Sequence, residues 1–362
     1  MLMRIAIILG TRPEIVKMSP VIRSCLARSV DFSIIHTGQH YTYEMDRIFF
    51  FELKLPGAAY NLEVGSGTHA TQTARMLTGL EQILLEDHHD VVLVQGDTNT
   101  VLAGALVAAK LGVSLGHVEA GLRSYDRSMP EEINRVVADH LSDFLFAPTE
   151  TAACNLRKEG RPDPAIFVTG NTVVDAVLQN LSLAAADETI FTRLGVDKGG
   201  YILVTAHRQE NVDRRENLAS ILKGIELVGS KFGVPVLYPI HPRARKMIER
   251  FNLPVPDNLH LIEPLGYFDF LLLEASAQLV LTDSGGVQEE CCILQTPCVT
   301  MRKNTERPET VVAGGNILAG TDPEAILSAA RAVVLRPRAW ENPFGDGRSG
   351  DRIVSYLQER FV

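Results

Sequence analysis

Several things are scarce in this sequence. Aromatic residues make up 6% of its 362 residues, with a single tryptophan. No hydrophobic run is long. The first, Ile5–Leu9, stops after five residues, and the later ones are interrupted by Gly, Lys or Asp. A membrane span needs about 20 consecutive apolar residues, so none is expected, and the first run is too short for the core of a secretory signal. Cysteine is sparse as well. Cys25, Cys154, Cys291, Cys292 and Cys298 are odd in number, and no CxxC pair occurs. That argues against a disulfide framework and a zinc site, and it fits a reducing cytoplasm. Positive charge is not in excess: 35 Lys+Arg against 44 Asp+Glu leave a net charge of −9. Neither nucleic acid nor an anionic membrane is expected as the main partner, although a local basic site for a phosphate stays open. The motifs GxxxxGK[ST], HExxH and GxSxG are missing, and so is any repeat of solenoid length.

What is present is ordinary globular composition, 46% hydrophobic and 22% charged, at a length that favours about two domains. Strand-like runs at Ile5–Leu9, Phe32–His36, Val91–Gln95, Ser114–Val118, Phe144–Ala147 and Ile166–Thr169 alternate with helix-period stretches at Ile15–Ala27, Thr71–Glu86, Thr100–Leu111 and Glu131–Leu141. The cadence then restarts. Strands are expected at Tyr201–Thr205, Val236–Pro239, Leu259–Ile262, Leu279–Thr282 and Cys298–Met301, with helices at Glu216–Lys231, Pro242–Phe251, Tyr267–Ala277 and Gly286–Ile293. This alternation predicts two α/β halves, each a doubly wound parallel sheet. The expected seam is at Gly170, giving domains 1–170 and 171–350. A last helix over 351–362 is free to pack on either half. Ligands in such sheets sit at the carboxyl ends of strands, so a cleft between the halves is the expected site.

The residues at those strand ends carry chemistry. Gly10-Thr11-Arg12-Pro13-Glu14 opens a helix after the first strand. Free N–H groups there favour an anion, and Arg12 and Lys17 add positive charge. Asp97, Glu119 and Glu131 fall at or near one sheet edge, a set suited to general acid and base work; Asp97 is alternatively a helix cap and Glu131 a partner of the helix dipole. Carboxylates crowded at a phosphate site repel one another, so raised pKa values are expected among them. In the second half, His207-Arg208 and His241 follow strands without metal-ligand spacing. Ser284-Gly285-Gly286 lets a backbone approach a diphosphate at a helix start, and Glu290 is placed to accept from ribose hydroxyls. Gly65-Ser66-Gly67-Thr68-His69-Ala70 matches GxGxxG/A, but it lies far from the first strand and no acidic residue ends a strand about 20 residues on, so NAD is not expected.

Taken together, Gly10 to Glu14, Gly96-Asp97-Thr98, His117 to Arg123, Pro130 to Arg135, Gly170-Asn171-Thr172, Ala206-His207-Arg208, Thr282 to Glu290, Thr305 to Glu309 and Asn342 to Gly347 resemble the non-hydrolysing UDP-N-acetylglucosamine 2-epimerases, over nearly the whole chain. The resemblance implies the glycosyltransferase-B type of fold, two Rossmann-like domains with an active site between them, and a final helix that crosses back to the first domain. It implies a cytoplasmic homodimer that needs no metal or redox cofactor. The implied reaction interconverts UDP-N-acetylglucosamine and UDP-N-acetylmannosamine by eliminating UDP to 2-acetamidoglucal and adding it back. By the same resemblance Asp97, Glu119 and Glu131 are the acid/base carboxylates and His207 helps the diphosphate leave. Arg12, Lys17, Ser284, Gly285 and Gly286 hold phosphate, Glu290 takes the ribose, Phe270 lies against uracil, and Arg135 and Arg307 are further contacts. Gln39, His40, Arg208 and His241 match an allosteric substrate pocket of many bacterial members, but Thr42 and Ser66 stand where those members carry Gln and Arg, so a hyperbolic substrate curve is expected. The rival readings are a 2-epimerase of UDP-2,3-diacetamido-2,3-dideoxyglucuronic acid, a glycosyltransferase of the same fold, and a catalytically silent nucleotide-sugar sensor. The intact Asp97, Glu119, Glu131 and His207 set argues against the last.

Overall fold

The apolar runs become parallel strands buried on both faces, as expected where helices cover a sheet. A computed structural model describes residues 3–39 and 49–361; His40 and Thr42 lie outside them. The chain divides into two units, residues 1–176 with 344–362, and residues 177–343.

The first unit holds β1 (Arg4–Leu9), β2 (Asp31–His36), β3 (Tyr60–Asn61), β4 (Val91–Gln95), β5 (Ser114–Val118), β6 (Phe144–Ala147) and β7 (Ile166–Val168). They form one parallel sheet in the order β3-β2-β1-β4-β5-β6-β7. The winding reverses between β1 and β4, which is the switch point where open α/β sheets bind ligands. Ile8, Val92, Val94 and Leu115 meet Met76, Leu80, Val101 and Ala105 of the helices His69–Glu86 and Asn99–Leu111 in a common core.

The second unit repeats the plan with β8 (Ile202–Thr205), β9 (Val236–Pro239), β10 (Leu259–Ile262), β11 (Leu279–Thr282), β12 (Cys298–Thr300) and β13 (Asn316–Leu318). Their order is β10-β9-β8-β11-β12-β13, all parallel. The switch point here lies between β8 and β11. Ile221, Ile225 and Val228 of the helix Arg215–Phe232 pack on Val204, Tyr238 and Leu281. Two doubly wound parallel sheets in one chain are the glycosyltransferase-B architecture.

The first crossing falls inside the helix Thr172–Ala184, after Ala176, later than the Gly170 seam. The return strand of chain joins the first unit from Phe344 onward because its backbone is tied there. Asn171 N–H donates to the Phe344 carbonyl at 2.8 Å, and Gly350 N–H donates to Asp175 Oδ1 at 2.8 Å. The helix Ser349–Phe361 then lies on the helix Arg12–Ala27: Gly350 approaches the Pro20 backbone too closely to admit a Cβ, and Ser24 Oγ donates to Asp351 Oδ1 at 2.7 Å. Tyr356 packs on Phe167 with ring centroids 4.7 Å apart.

Candidate active site

In the first unit the turns after β1, β4 and β5 are locked together. Gly10 and Thr11 lead into the helix Arg12–Ala27, whose start is held not by a Thr11 cap but by Glu14 one turn on. The Glu14 carboxylate accepts from Gly10 N–H and Thr11 Oγ1, both at 2.9 Å, and from Thr98 Oγ1 of the β4 turn at 2.7 Å. Glu14 is buried, and burial pushes its pKa up to about 7 against the pull of those donors. The Arg12 guanidinium stands 5.7 Å from the centre of the Phe49 ring.

Asp97 follows Gly96, whose φ of 84° is open to glycine. Asp97 does not cap the next helix. Thr98 does so, accepting from Val101 N–H, and this leaves the Asp97 carboxylate paired with the Arg135 guanidinium. Glu119 directly follows β5 with φ at 69°, a left-handed conformation that costs a non-glycine residue about 1–2 kcal/mol. Its buried carboxylate accepts from Lys17 Nζ at 2.6 Å, from Asn171 Nδ2 at 3.2 Å and from Gln95 Nε2. Lys17, expected on phosphate, is thus an ion-pair partner of Glu119 here.

Glu131 stands exposed in the first turn of the helix Pro130–Leu141. Its neighbour Glu132 is the buried one. Glu132 accepts from Ser124 N–H and Oγ at 2.9 Å and from Tyr125 N–H at 3.0 Å, and it pairs with Arg135 at 3.1 Å. Burial alone raises the Glu132 pKa, but the Ser124 and Tyr125 donors and Arg135 outweigh it, and the pKa is lowered.

In the second unit the organising group is Asp283, fully buried after β11. It accepts from His207 N–H at 3.0 Å, Arg208 N–H at 3.0 Å and Asn211 Nδ2 at 3.1 Å. His207 Nδ1 also lies 3.2 Å from Asp283 Oδ1. Burial raises the Asp283 pKa, but these partners, His207 first, hold it below the usual carboxylate value. With Nδ1 turned to the carboxylate, Nε2 is the ring nitrogen left to face a ligand. The His207 ring lies 5.9 Å from that of His241. His241 Nδ1 accepts from Arg243 N–H at 3.1 Å, so the neutral His241 ring carries its proton on Nε2; burial, with His207 and Arg243 nearby, lowers its pKa.

Ser284 caps the helix Gly285–Ile293, accepting from Val287 N–H at 3.5 Å. A Cβ on Gly285 would come within 2.7 Å of Glu306 Oε1, whereas one on Gly286 would meet only Ser284 Oγ at 3.9 Å. The first glycine position is thus crowded by the Glu306 carboxylate, while the second is open. Glu290 accepts from Tyr267 Oη at 3.5 Å. Close to it Glu274 is fully buried, and burial together with the Glu290 charge raises its pKa well above the usual range. Phe270 is partly buried against the core of this unit. Arg208 and Arg302 both hold Glu306 at 2.8 Å, and Arg307 Nε lies 2.9 Å from Glu289.

The sequence pattern does not single out Glu14, Glu132, Asp283 or Glu306 as site residues. Asp283 had the clearest signal, a carboxylate directly after an apolar strand and before Ser-Gly-Gly.

A family model described as UDP-N-acetylglucosamine 2-epimerase matches residues 24–358. A UDP-N-acetylglucosamine 2-epimerase of Methanocaldococcus jannaschii is 54% identical over 362 residues, covering 98% of this chain and 99% of that protein. The crystal structure of the Methanocaldococcus jannaschii UDP-GlcNAc 2-epimerase in complex with UDP-GlcNAc and UDP matches with a TM-score of 0.86 at 53% identity, over 99% of this chain and 100% of that one. A UDP-2,3-diacetamido-2,3-dideoxy-D-glucuronate 2-epimerase of Pseudomonas aeruginosa is 40% identical over 98% of this chain and 99% of that protein. These matches cover nearly the whole chain, and the chain belongs to the UDP-N-acetylglucosamine 2-epimerase family.

Proposed function

We propose that this chain interconverts UDP-N-acetylglucosamine and UDP-N-acetylmannosamine by eliminating UDP to 2-acetamidoglucal and adding it back. The C2 hydrogen of the sugar is not next to a carbonyl, so direct removal is too costly, and expelling UDP supplies the driving force. One unit supplies carboxylates for proton transfer: Asp97 and Glu119, each beside a cation, and Glu131 exposed near them in sequence. The other supplies donors for the departing diphosphate: His207, Ser284, and the N–H groups at Gly285 and Gly286. In this reading Arg12, Lys17, Arg135, Arg208, His241 and Arg307 contribute positive charge or donors, Glu290 takes the ribose and Phe270 lies against the base.

The observation that carries the reading is Gly286. Neither its backbone angle nor its packing requires glycine. The open space there leaves room for a diphosphate close to the helix start, and His207, on the neighbouring strand end, is oriented by Asp283 to act on the same anion.

The test is proton NMR with UDP-N-acetylglucosamine in D₂O, without added metal or NAD. The expected result is UDP-N-acetylmannosamine carrying deuterium at C2. A substrate that binds but stays unchanged and undeuterated refutes the reading. Turnover of the diacetamido-glucuronate sugar instead, or transfer to an acceptor, would then identify the rival activity. A hyperbolic substrate curve is expected, because the exposed Ser66 stands where the allosterically activated members carry Arg.

We further propose that the protein works in the cytoplasm as a homodimer. All five cysteines are unpaired thiols. Among the described residues no helix is long and apolar enough to cross a membrane. Leu85, Met129 and Ile133 of the first unit are exposed apolar side chains of the kind a subunit contact covers. Light scattering on the eluting protein measures the assembly, and a monomer mass sinks the dimer.

A further inference from the structure

We infer that His117 is a fixed imidazolium that positions the Gly96-Asp97 turn and Glu119, with Asp139 as its counter-charge; this rests on the proposed roles of Asp97 and Glu119.

The ring is completely buried and both of its nitrogens face acceptors. Nδ1 is 2.7 Å from Asp139 Oδ1, and Nε2 is 2.8 Å from the Gly96 carbonyl oxygen. A neutral imidazole has one N–H and serves one acceptor; two acceptors require both nitrogens to be protonated. The alternative, a protonated Asp139 donating to the ring, conflicts with the rest of its environment. Asp139 Oδ2 accepts from Gly121 N–H at 3.1 Å and pairs with Arg123 Nη1 at 2.7 Å, which favours the carboxylate. Arg123 is in turn held by Glu159 at 2.6 Å. His117, Asp139, Arg123 and Glu159 therefore sum to zero charge. Burial opposes the charged ring, yet Asp139, the Gly96 carbonyl and Glu119 raise the His117 pKa overall; Asp139 shifts in the opposite direction, below the usual value, as a true pair requires. The groups facing His117 across the sheet, Val94 of β4 and Leu145 of β6, are apolar. Asp139, Glu119 and, through Asp139, Arg123 are the charges that act on it.

This pair grips both turns. The ring holds the Gly96 carbonyl, while Gly96 N–H donates to the Val118 carbonyl at 3.1 Å, so the residue before Asp97 is fixed from two sides by β5. The other end of Asp139 holds Gly121, two residues past Glu119, and thus pins the left-handed turn that presents that carboxylate. Proton transfer is sensitive to such placement: an error of about 1 Å costs on the order of 100-fold. His117 and Asp139 are positioning residues in this account.

Two isosteric variants separate the ring's two contacts. The amide nitrogen of Gln occupies the place of Nε2 and that of Asn the place of Nδ1. His117→Gln keeps a donor to Gly96 and is expected to lose less than about 10-fold in kcat; His117→Asn drops that donor and is expected to lose about 100-fold. KM should stay within about 3-fold in both, because neither residue holds the nucleotide. Equal kcat losses, or losses that follow KM or melting temperature, overturn the proposal. The second measurement is nitrogen-15 NMR of histidine-labelled protein at pH 8, with His117 assigned by its disappearance in whichever variant folds, or by its shift in Asp139→Asn. Both ring nitrogens should be protonated, and a neutral ring overturns the proposal. That readout needs no substrate, so a wild-type protein that carries the imidazolium but leaves UDP-N-acetylglucosamine unchanged sinks the functional reading alone.

Discussion

Replacing Glu14 by Gln should make the protein more stable than wild type above neutral pH and leave it nearly unchanged in acid. Glu14 is buried, with one oxygen shared by Gly10 N–H and Thr11 Oγ1 and the other facing Thr98 Oγ1. Gln reproduces the protonated acid: its carbonyl oxygen keeps the first two donors, and its NH₂ donates to the Thr98 hydroxyl, which rotates to accept. The folded pKa is raised from 4.5 to about 7. A raised folded pKa means that the contribution of this group is fully present below about pH 4.5 and is lost as pH rises through about 7. At about 1.36 kcal/mol per pH unit the gap amounts to about 3 kcal/mol, most of it falling between pH 5 and 8. The Gln variant has no such loss. Urea unfolding of the two proteins at pH 5 and pH 8 should therefore give a difference that moves by about 2–3 kcal/mol in favour of Gln. A difference that stays constant between the two pH values refutes the argument. So does a Gln variant that is already weaker by more than about 1 kcal/mol at pH 5, since a lost hydrogen bond costs that much.

Three further outcomes follow from the same geometry. Gly121→Ala places a Cβ on a residue with φ at 82° and into the Ala152 carbonyl oxygen; a loss on the order of 3 kcal/mol or more in urea unfolding is expected, and a loss under about 1 kcal/mol counts against the described turn. Asp283→Asn can keep the His207 N–H, Arg208 N–H and Asn211 donors on one oxygen but turns an NH₂ toward His207 Nδ1 in place of the acceptor there, so most of the kcat and about 1–3 kcal/mol of stability should be lost; because the folded Asp283 pKa is depressed, the wild-type advantage is present above the unfolded value of 3.8 and should fade only as pH falls through the lower folded value, so an advantage already fading at pH 6 contradicts it. Lys17→Met leaves the buried Glu119 carboxylate without its ammonium, whereas Lys17→Met with Glu119→Gln removes both charges; a double-mutant cycle on stability should give a coupling of about 3 kcal/mol, and strictly additive losses would show that the pair does not stabilise the fold.

Much of the fold was legible because parallel strands covered on both faces read as unbroken apolar runs, and because each helix began near a turn signal. The elements that escaped have physical reasons. β3 is Tyr60–Asn61 and β13 is Asn316–Leu318, edge strands too short for any period to register. The helices Thr172–Ala184 and Pro323–Val334 are rich in Ala, small enough to sit on any face, and in Val, a weak helix former, so their helical period is faint in the sequence. At the site the sequence displayed charges at strand ends but could not display their partners. Lys17 finds Glu119 102 residues away, Arg208 finds Glu306 at a separation of 98, and His207 finds Asp283 at 76. Local chemistry also misleads between neighbours. Glu131 and Glu132 look equivalent in the first turn of a helix, yet only Glu132 meets the Ser124-Tyr125 backbone, because a turn with Tyr125 at φ 58° folds back over the helix start. Pairing has a consequence for how the site is to be altered. Asp97, Glu119, Asp139 and Asp283 each hold a cationic or N–H partner, so removing one carboxylate uncovers the group it held. The informative substitutions are therefore amides and double changes that keep the partner satisfied, not alanines, whose losses would merge the chemistry of the missing group with the cost of the one it leaves behind.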